Sequence, residues 1–322
     1  MRPLQHETGS SPWRADAVLV VVTIAWGSSF VVVRHALDTA PPLTLLFARF
    51  ALGTALLAGA VWRRPWTAAA GRDGLVLGFL LASGMCLQVS GQAGTTATKA
   101  GFLTGLASVF TPFVAVARTR RLPTVANALG IALATAGFLL LTYPPAGAAF
   151  ERGDLLVGVS GFVFAVYGVE LAERAGRHDA VWLTAIQLAV VAAGAGLSSL
   201  VFRTPSLATT AAGKLEARTV DWGGPFPWSV LYLGILCSAG AFLGWTWAQG
   251  RMSAIHGAII LALEPVVAAL LAAWLLRERL SARGVVGAVL VFVGIVVSEI
   301  RRRPAAARTG EESKRAFSAV SD

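Results

Sequence analysis

Charge is scarce in this chain. Lysine, arginine, aspartate and glutamate make up 14% of the 322 residues and 56% are hydrophobic, whereas ordinary soluble chains carry about 25% charged residues. With a mean hydropathy of +0.68, a soluble fold of this size is excluded. Cysteine is nearly missing as well. Cys86 and Cys237 both lie in apolar runs, without CxxC or Cys/His spacing, so neither a disulfide framework nor a zinc site is indicated and both read as buried thiols. The four histidines are scattered, and no phosphate-binding glycine loop or Ser/His/Asp set appears. Metal, cofactor and ATP-driven chemistry are therefore not expected. The net charge of +10 would suggest nucleic acid in a soluble protein. Here the basic residues sit between apolar runs and in the tail at Arg301, Arg302 and Arg303, where they set membrane topology instead, so no nucleic-acid partner is expected.

What the chain does have is long apolar runs. Ten of them, at about 17–33, 43–62, 74–92, 100–117, 125–143, 154–171, 180–202, 228–249, 254–276 and 284–298, are long enough as helices to cross about 30 Å of hydrocarbon. The expected fold is all-α and polytopic in the cell membrane. Residues 1–15 read as a disordered cytoplasmic leader and 301–322 as a basic cytoplasmic tail. The one long connection, 203–227, carries Lys214, Glu216 and Asp221 and reads as an exposed, mobile insertion. The first run follows a short basic leader, as a signal peptide would, but lacks a small-x-small cleavage site and is read as a retained helix.

Lysine and arginine in alternate connections orient the chain. With the N-terminus in the cytoplasm, the inner set includes Arg14, Arg63, Arg64, Arg72, Arg118, Arg120, Arg121, Arg174, Arg177, Arg251 and the tail, which places both termini inside. Arg277, Arg279 and Arg283 oppose that count. The chain also repeats. Asp16 followed by Ala48-Arg49 recurs as Asp154 followed by Ile186-Gln187 at a constant offset, and Gly130 with Gly137 recurs as Gly287 with Gly294. Two five-helix halves, 16–147 and 148–300, are thus expected. Because five is odd, the second half enters the membrane in the opposite sense, the inverted-repeat plan of many secondary transporters.

Particular stretches resemble a known family. Ala25-Trp26-Gly27-Ser28-Ser29-Phe30, Pro41-Pro42 and Ala48-Arg49-Phe50 are similar to the opening signature of the EamA branch of the drug/metabolite transporter superfamily. Leu263-Glu264-Pro265-Val266-Val267-Ala268-Ala269-Leu270, closed by Leu276-Arg277-Glu278-Arg279-Leu280-Ser281, resembles that family's ninth-helix signature, and Gln88-Val89-Ser90-Gly91-Gln92 with Ala100-Gly101-Phe102-Leu103 resembles its third-to-fourth helix region. The resemblance spans about residues 16–300 and implies a ten-helix carrier with inverted halves that exports or exchanges small metabolites. Two positions depart from the family pattern: Arg120 stands where the family has Glu, and the proline expected near Ala107 is absent, Pro112 lying farther along.

Candidate site residues are the polar groups inside the runs. Ionised Glu264, near the middle of its run, costs about 2.5–3.5 kcal/mol on insertion scales unless it is paired, protonated or facing water. Pro265 beside it removes a helix hydrogen bond. Glu264 thus reads either as a cavity or coupling residue or as structural glue. Arg49 is too deep to snorkel easily, and either holds an anionic solute group, staples helices or pairs with Glu264. His256, two turns before Glu264, suits proton coupling or a polar cap. Gln88, Gln92, Gln187 and Gln249 line a polar cavity or hold helices together. Trp26 and Trp245 form a stacking wall or pack, whereas Trp62, Trp66, Trp222 and Trp228 form an interfacial belt. The glycine pairs Gly101/Gly105 and Gly240/Gly244 read as packing seams.

The function expected is secondary transport of a small amino-acid-like or drug-like solute by alternating access, with protons as a possible coupling ion. The alternative is an intramembrane enzyme or lipid translocase, for which Glu170 and Glu173 would be the acids, although they read more simply as interfacial charges beside Arg174. A structural or sensory protein would need a soluble domain or a partner helix. Reporter insertions test the topology. A phosphatase inserted within 203–227 should be active and one fused after residue 322 inactive, and the reverse pattern would contradict the orientation.

Overall fold

The computed structural model describes residues 12–62, 64–95, 97–120, 122–142, 151–275 and 282–300, and every regular element among them is a helix. The succession is α1 (Pro12–Thr39), α2 (Pro42–Val61), α3 (Ala68–Gln92), α4 (Ala97–Thr119), α5 (Val125–Thr142), α6 (Arg152–Arg174), α7 (Ala180–Phe202), α8 (Ala211–Glu216), α9 (Phe226–Tyr232), α10 (Ala241–Gln249), α11 (Ala254–Leu261), α12 (Glu264–Leu275) and α13 (Ala282–Ile300). Six helical stretches are long and apolar enough to cross a membrane, and four shorter apolar ones accompany them. The chain is a polytopic helical membrane protein. Helices suit hydrocarbon because they satisfy their backbone groups internally. Their ends are closed by side chains: Thr67 accepts the Ala70 N–H, Asp179 those of Val181 and Trp182, and Ser253 that of His256.

The helices depart from the apolar runs in three places. α1 begins at Pro12, inside the segment read as leader. The eighth run is continuous from α9 to α10 but passes through a π-helical stretch, Leu233–Gly240, in which the Ala241 N–H reaches the Leu236 carbonyl. The ninth run, expected as one helix, is broken at Ala262 and Leu263 into α11 and α12. Proline explains the break. Pro265 has no N–H to offer the carbonyl four residues back, so α11 closes with Ala262 and Leu263 donating to Ala258 and Ile260.

Packing runs mainly between the first and second halves of the chain. α1 is antiparallel to the stretch from the π turn to α10, with Ala25 at Cys237 and Val18 at Gly244. It is parallel to α11 and α12, with Asp16 at His256 and Gly27 at Val267. α6 has the matching relations, antiparallel to α3 (Gly84 at Phe164, Gly91 at Gly153) and parallel to α4 (Leu103 at Gly161, Arg118 at Glu170). α2 lies antiparallel on α7. The closest seam joins α5 and α13. A Cβ added to Gly137 would fall 2.5 Å from the Gly287 carbonyl oxygen, and one on Gly294 would fall 2.7 Å from that of Gly130. The expected seams differ in detail: Gly244 does admit Val18 and Val22 of α1, but Gly101 has only Phe30 at 3.9 Å, a loose contact.

The segment after α7 corrects the expectation of a mobile insertion. It forms α8, and Glu216 at its end is 1% exposed. The Glu216 carboxylate accepts the Leu43 N–H at 2.7 Å and the Ser199 hydroxyl at 2.8 Å, and so caps the start of α2. Arg218 donates to the carbonyls of Leu37 and Asp38 at the end of α1. An anion on a helix N-terminus and a cation on a C-terminus both complement the helix dipoles, which is why this polar stretch folds onto the bundle.

The opposite ends of α2, α3, α6 and α7 carry ion pairs, Arg64 with Asp179 at 2.6 Å and Asp73 with both His178 and Arg174. Exposed Trp62, Trp66, Trp222 and Trp228 lie near helix ends, as an interfacial belt requires. The stretch 276–281, with Arg277 and Arg279, lies outside the described residues, as does the tail.

The α5–α13 seam is testable. Gly137→Val should lower the melting temperature in detergent by the equivalent of about 1–3 kcal/mol of overpacking, whereas Gly158→Ala, where a Cβ meets nothing within 4 Å, should not. Equal effects would show that close approach is not what Gly137 supplies.

A central polar cavity

Helices from both halves surround one cavity with about 1040 Å³ of space not filled by protein atoms, part of it open to the outside. The space open to the centres of water molecules is about 90 Å³. Trp26, Phe30, Phe164, Phe242 and Trp245 supply an aromatic wall, and Arg49, Gln88, Gln92, Thr104, Gln249 and Glu264 supply polar groups. Seven of the residues singled out in the sequence (Arg49, Glu264, Gln88, Gln92, Gln249, Trp26 and Trp245) therefore meet at one place. Phe164 and Phe242 had no sequence signal, because a phenylalanine in an apolar helix looks the same whether it packs or lines a cavity.

Arg49 is held but not neutralised. It is 6% exposed, and its Nε donates to Ser238 Oγ at 3.0 Å. Its guanidinium lies 5.2 Å from the Phe50 ring centroid. Among the described residues no carboxylate lies within 4.0 Å of it, so the Arg49–Glu264 pair considered from the sequence is not formed. Glu264 sits at the break between α11 and α12, half-buried and lining the cavity. No side-chain partner is found for its carboxylate among the described residues. Gly27 lets α1 reach this break, since a Cβ there would stand 3.0 Å from the Glu264 carbonyl oxygen and 2.9 Å from Val267.

The aromatic wall is fixed by its polar edges. Trp26 Nε1 donates to the Cys237 carbonyl at 3.0 Å, and Trp245 Nε1 donates to Gln249 Oε1 at 3.0 Å. Their rings meet edge to face, centroids 5.0 Å apart, a favoured aromatic geometry. Gln249 spends its amide on Trp245 and on the Ser253 carbonyl, so its place in the wall is to hold the indole. Gln88 donates to Thr104 Oγ1 at 3.0 Å.

Two candidates stand away from the cavity. Gln187, expected from sequence to match Arg49, is buried, accepts the Tyr167 hydroxyl and donates to the Leu183 carbonyl. His256 is 2% exposed, and its Nε2 meets Asp16 Oδ1 at 3.0 Å, joining the starts of α1 and α11. Glu170 and Glu173 are held by Arg118, and Glu170 also by Arg174.

The helices and the cavity between them define a multi-pass helical membrane protein, and sequence comparison is more specific. The profile of the EamA-like transporter family matches twice, over residues 13–143 and 151–299. The chain belongs to that family and is a membrane transporter. It is 26% identical over 298 residues to an uncharacterized transporter of Archaeoglobus fulgidus, covering 90% of this chain and 98% of the relative. It is 27% identical over 298 residues to a probable terminal-alkyne amino-acid exporter of Streptantibioticus cattleyicolor, covering 90% and 94%. A protein of known crystal structure aligns at TM-score 0.67 with 20% identity, over 89% of this chain and 97% of that one, a likeness of fold alone.

Proposed function

We propose that the protein is a secondary transporter in the plasma membrane, with both termini in the cytoplasm, that exports or exchanges an amino-acid-like solute by alternating access between two inverted five-helix halves. The observation that carries this reading is the pair of charges, Arg49 and Glu264, which line one cavity without neutralising each other. A solute bearing a carboxylate and an ammonium group would complement both, and the aromatic wall would take its apolar part. Glu264 would also accept and release the proton that couples transport to a pH gradient.

Several observations support the inverted repeat. The family profile matches once in each half. α1 packs on α10 and on α11–α12 with the same directions that α6 packs on α3 and on α4. The α5–α13 seam is reciprocal: Gly137 meets Gly287 and Gly294 meets Gly130, as an isologous contact about a two-fold axis requires. The clasps at opposite ends of the bundle, Glu216 with Leu43 and Arg64 with Asp179, each join one half to the other. They are the contacts that rocking halves would make and break. The likeness to an amino-acid exporter favours the solute class.

Proteoliposomes test the proposal. Radiolabelled L-phenylalanine should accumulate against its gradient when a pH difference is imposed. Glu264→Gln, which keeps the shape and cannot titrate, should abolish that response while leaving solute exchange at equal pH. A Glu264→Gln protein with unchanged rate and pH dependence would overturn the coupling role.

A further inference from the structure

We infer that Ser238 is the positioning residue for Arg49, and that the π turn carrying it sets how well the site distinguishes a carboxylate from a neutral group. The inference rests on the reading of Arg49 as the charge that meets the solute.

The π turn stands where two cavity residues of α1 and α2 need anchors. Its Ala241 N–H reaches five residues back, to Leu236. One extra residue in a turn displaces the following side chains by about 100° around the axis, and such turns gather at functional sites. Two consecutive residues here serve two different helices: the Cys237 carbonyl accepts from Trp26 of α1, and the Ser238 hydroxyl accepts from Arg49 of α2. Downstream, Phe242, Trp245 and Gln249 follow at helical spacing and line the cavity. The turn thus reconciles the anchoring residues with the lining ones.

The choice of anchor matters chemically. Ser238 is wholly buried and uncharged. A carboxylate at this position would orient Arg49 and cancel its charge, whereas a hydroxyl orients it and leaves the charge for a ligand. Because Nε is the nitrogen engaged, the two terminal nitrogens keep their donors for a carboxylate, which they grip end-on in the guanidinium plane. Without the anchor the guanidinium rotates, and part of the binding energy goes into ordering it.

Binding to the purified full-length chain tests this, with L-phenylalanine and L-phenylalaninamide as probes that differ at the carboxylate. The wild type should favour the acid by about tenfold or more, the worth of a charge-assisted pair. Arg49→Gln should remove the preference. Ser238→Ala should reduce it severalfold through weaker binding of the acid alone, with amide binding and melting temperature little changed, and Ser238→Thr should restore it. Unchanged preference in Ser238→Ala, beside a lost preference in Arg49→Gln, would overturn the positioning role and leave the site reading intact. Equal weakening of acid and amide in Ser238→Ala, without rescue by Thr, would make Ser238 merely structural and also overturn it. A wild type that does not discriminate, and is unaffected by Arg49→Gln, would overturn the reading of Arg49 and the inference with it.

Discussion

Inside a bilayer each buried charge must find a partner, a proton or water, and that requirement orders most of this structure. Asp73, Glu170, Arg118, Arg174, His178 and Asp179 satisfy it by pairing at the helix ends. Glu216 and Arg218 satisfy it at the start of α2 and the end of α1. Arg49 and Glu264 are the departures. They line the cavity, whereas the same charges set in hydrocarbon would cost about 2.5–3.5 kcal/mol each on insertion scales. The cavity between the halves, Ser238 behind Arg49 and the helix break at Glu264 are the local features that keep them in place without joining them.

In the proposed inverted repeat the two halves share a frame, and the site lies where their residues differ. Position 187, which the proposed repeat matches to position 49, carries Gln turned into the protein by Tyr167. α3 runs as a regular helix, whereas the stretch from α9 to α10, its counterpart in the proposed repeat, contains a π turn. On that proposal matched packing builds the frame, and residues that differ between the halves place Arg49 and Glu264 at the cavity. A carrier that rocks between two faces needs the symmetry of the frame, and selectivity needs the asymmetry of the residues.

The apolar runs were legible from sequence because the bilayer demands a fixed length and few charges, and the matching glycines of α5 and α13 were legible because close approach admits nothing larger. Arg49 and Glu264 were visible because charge in such runs is rare. Other features were not readable. Helices apolar all round carry no facing signal, so Gln187 and Gln92 looked alike although one is enclosed and the other lines the cavity. A π turn has no local signature. Glu216 looked like a loop charge because its partners, Leu43 and Ser199, are distant in sequence or on another helix.

The central claim is that Arg49 and Glu264 are kept for a ligand at the expense of stability. The most direct measurement is the melting temperature of Arg49→Met and Glu264→Met in ligand-free detergent, beside their transport. If the charges await a ligand, each substitution raises the melting temperature while transport is lost. If each lowers it, the charges are structural staples and the account is contradicted.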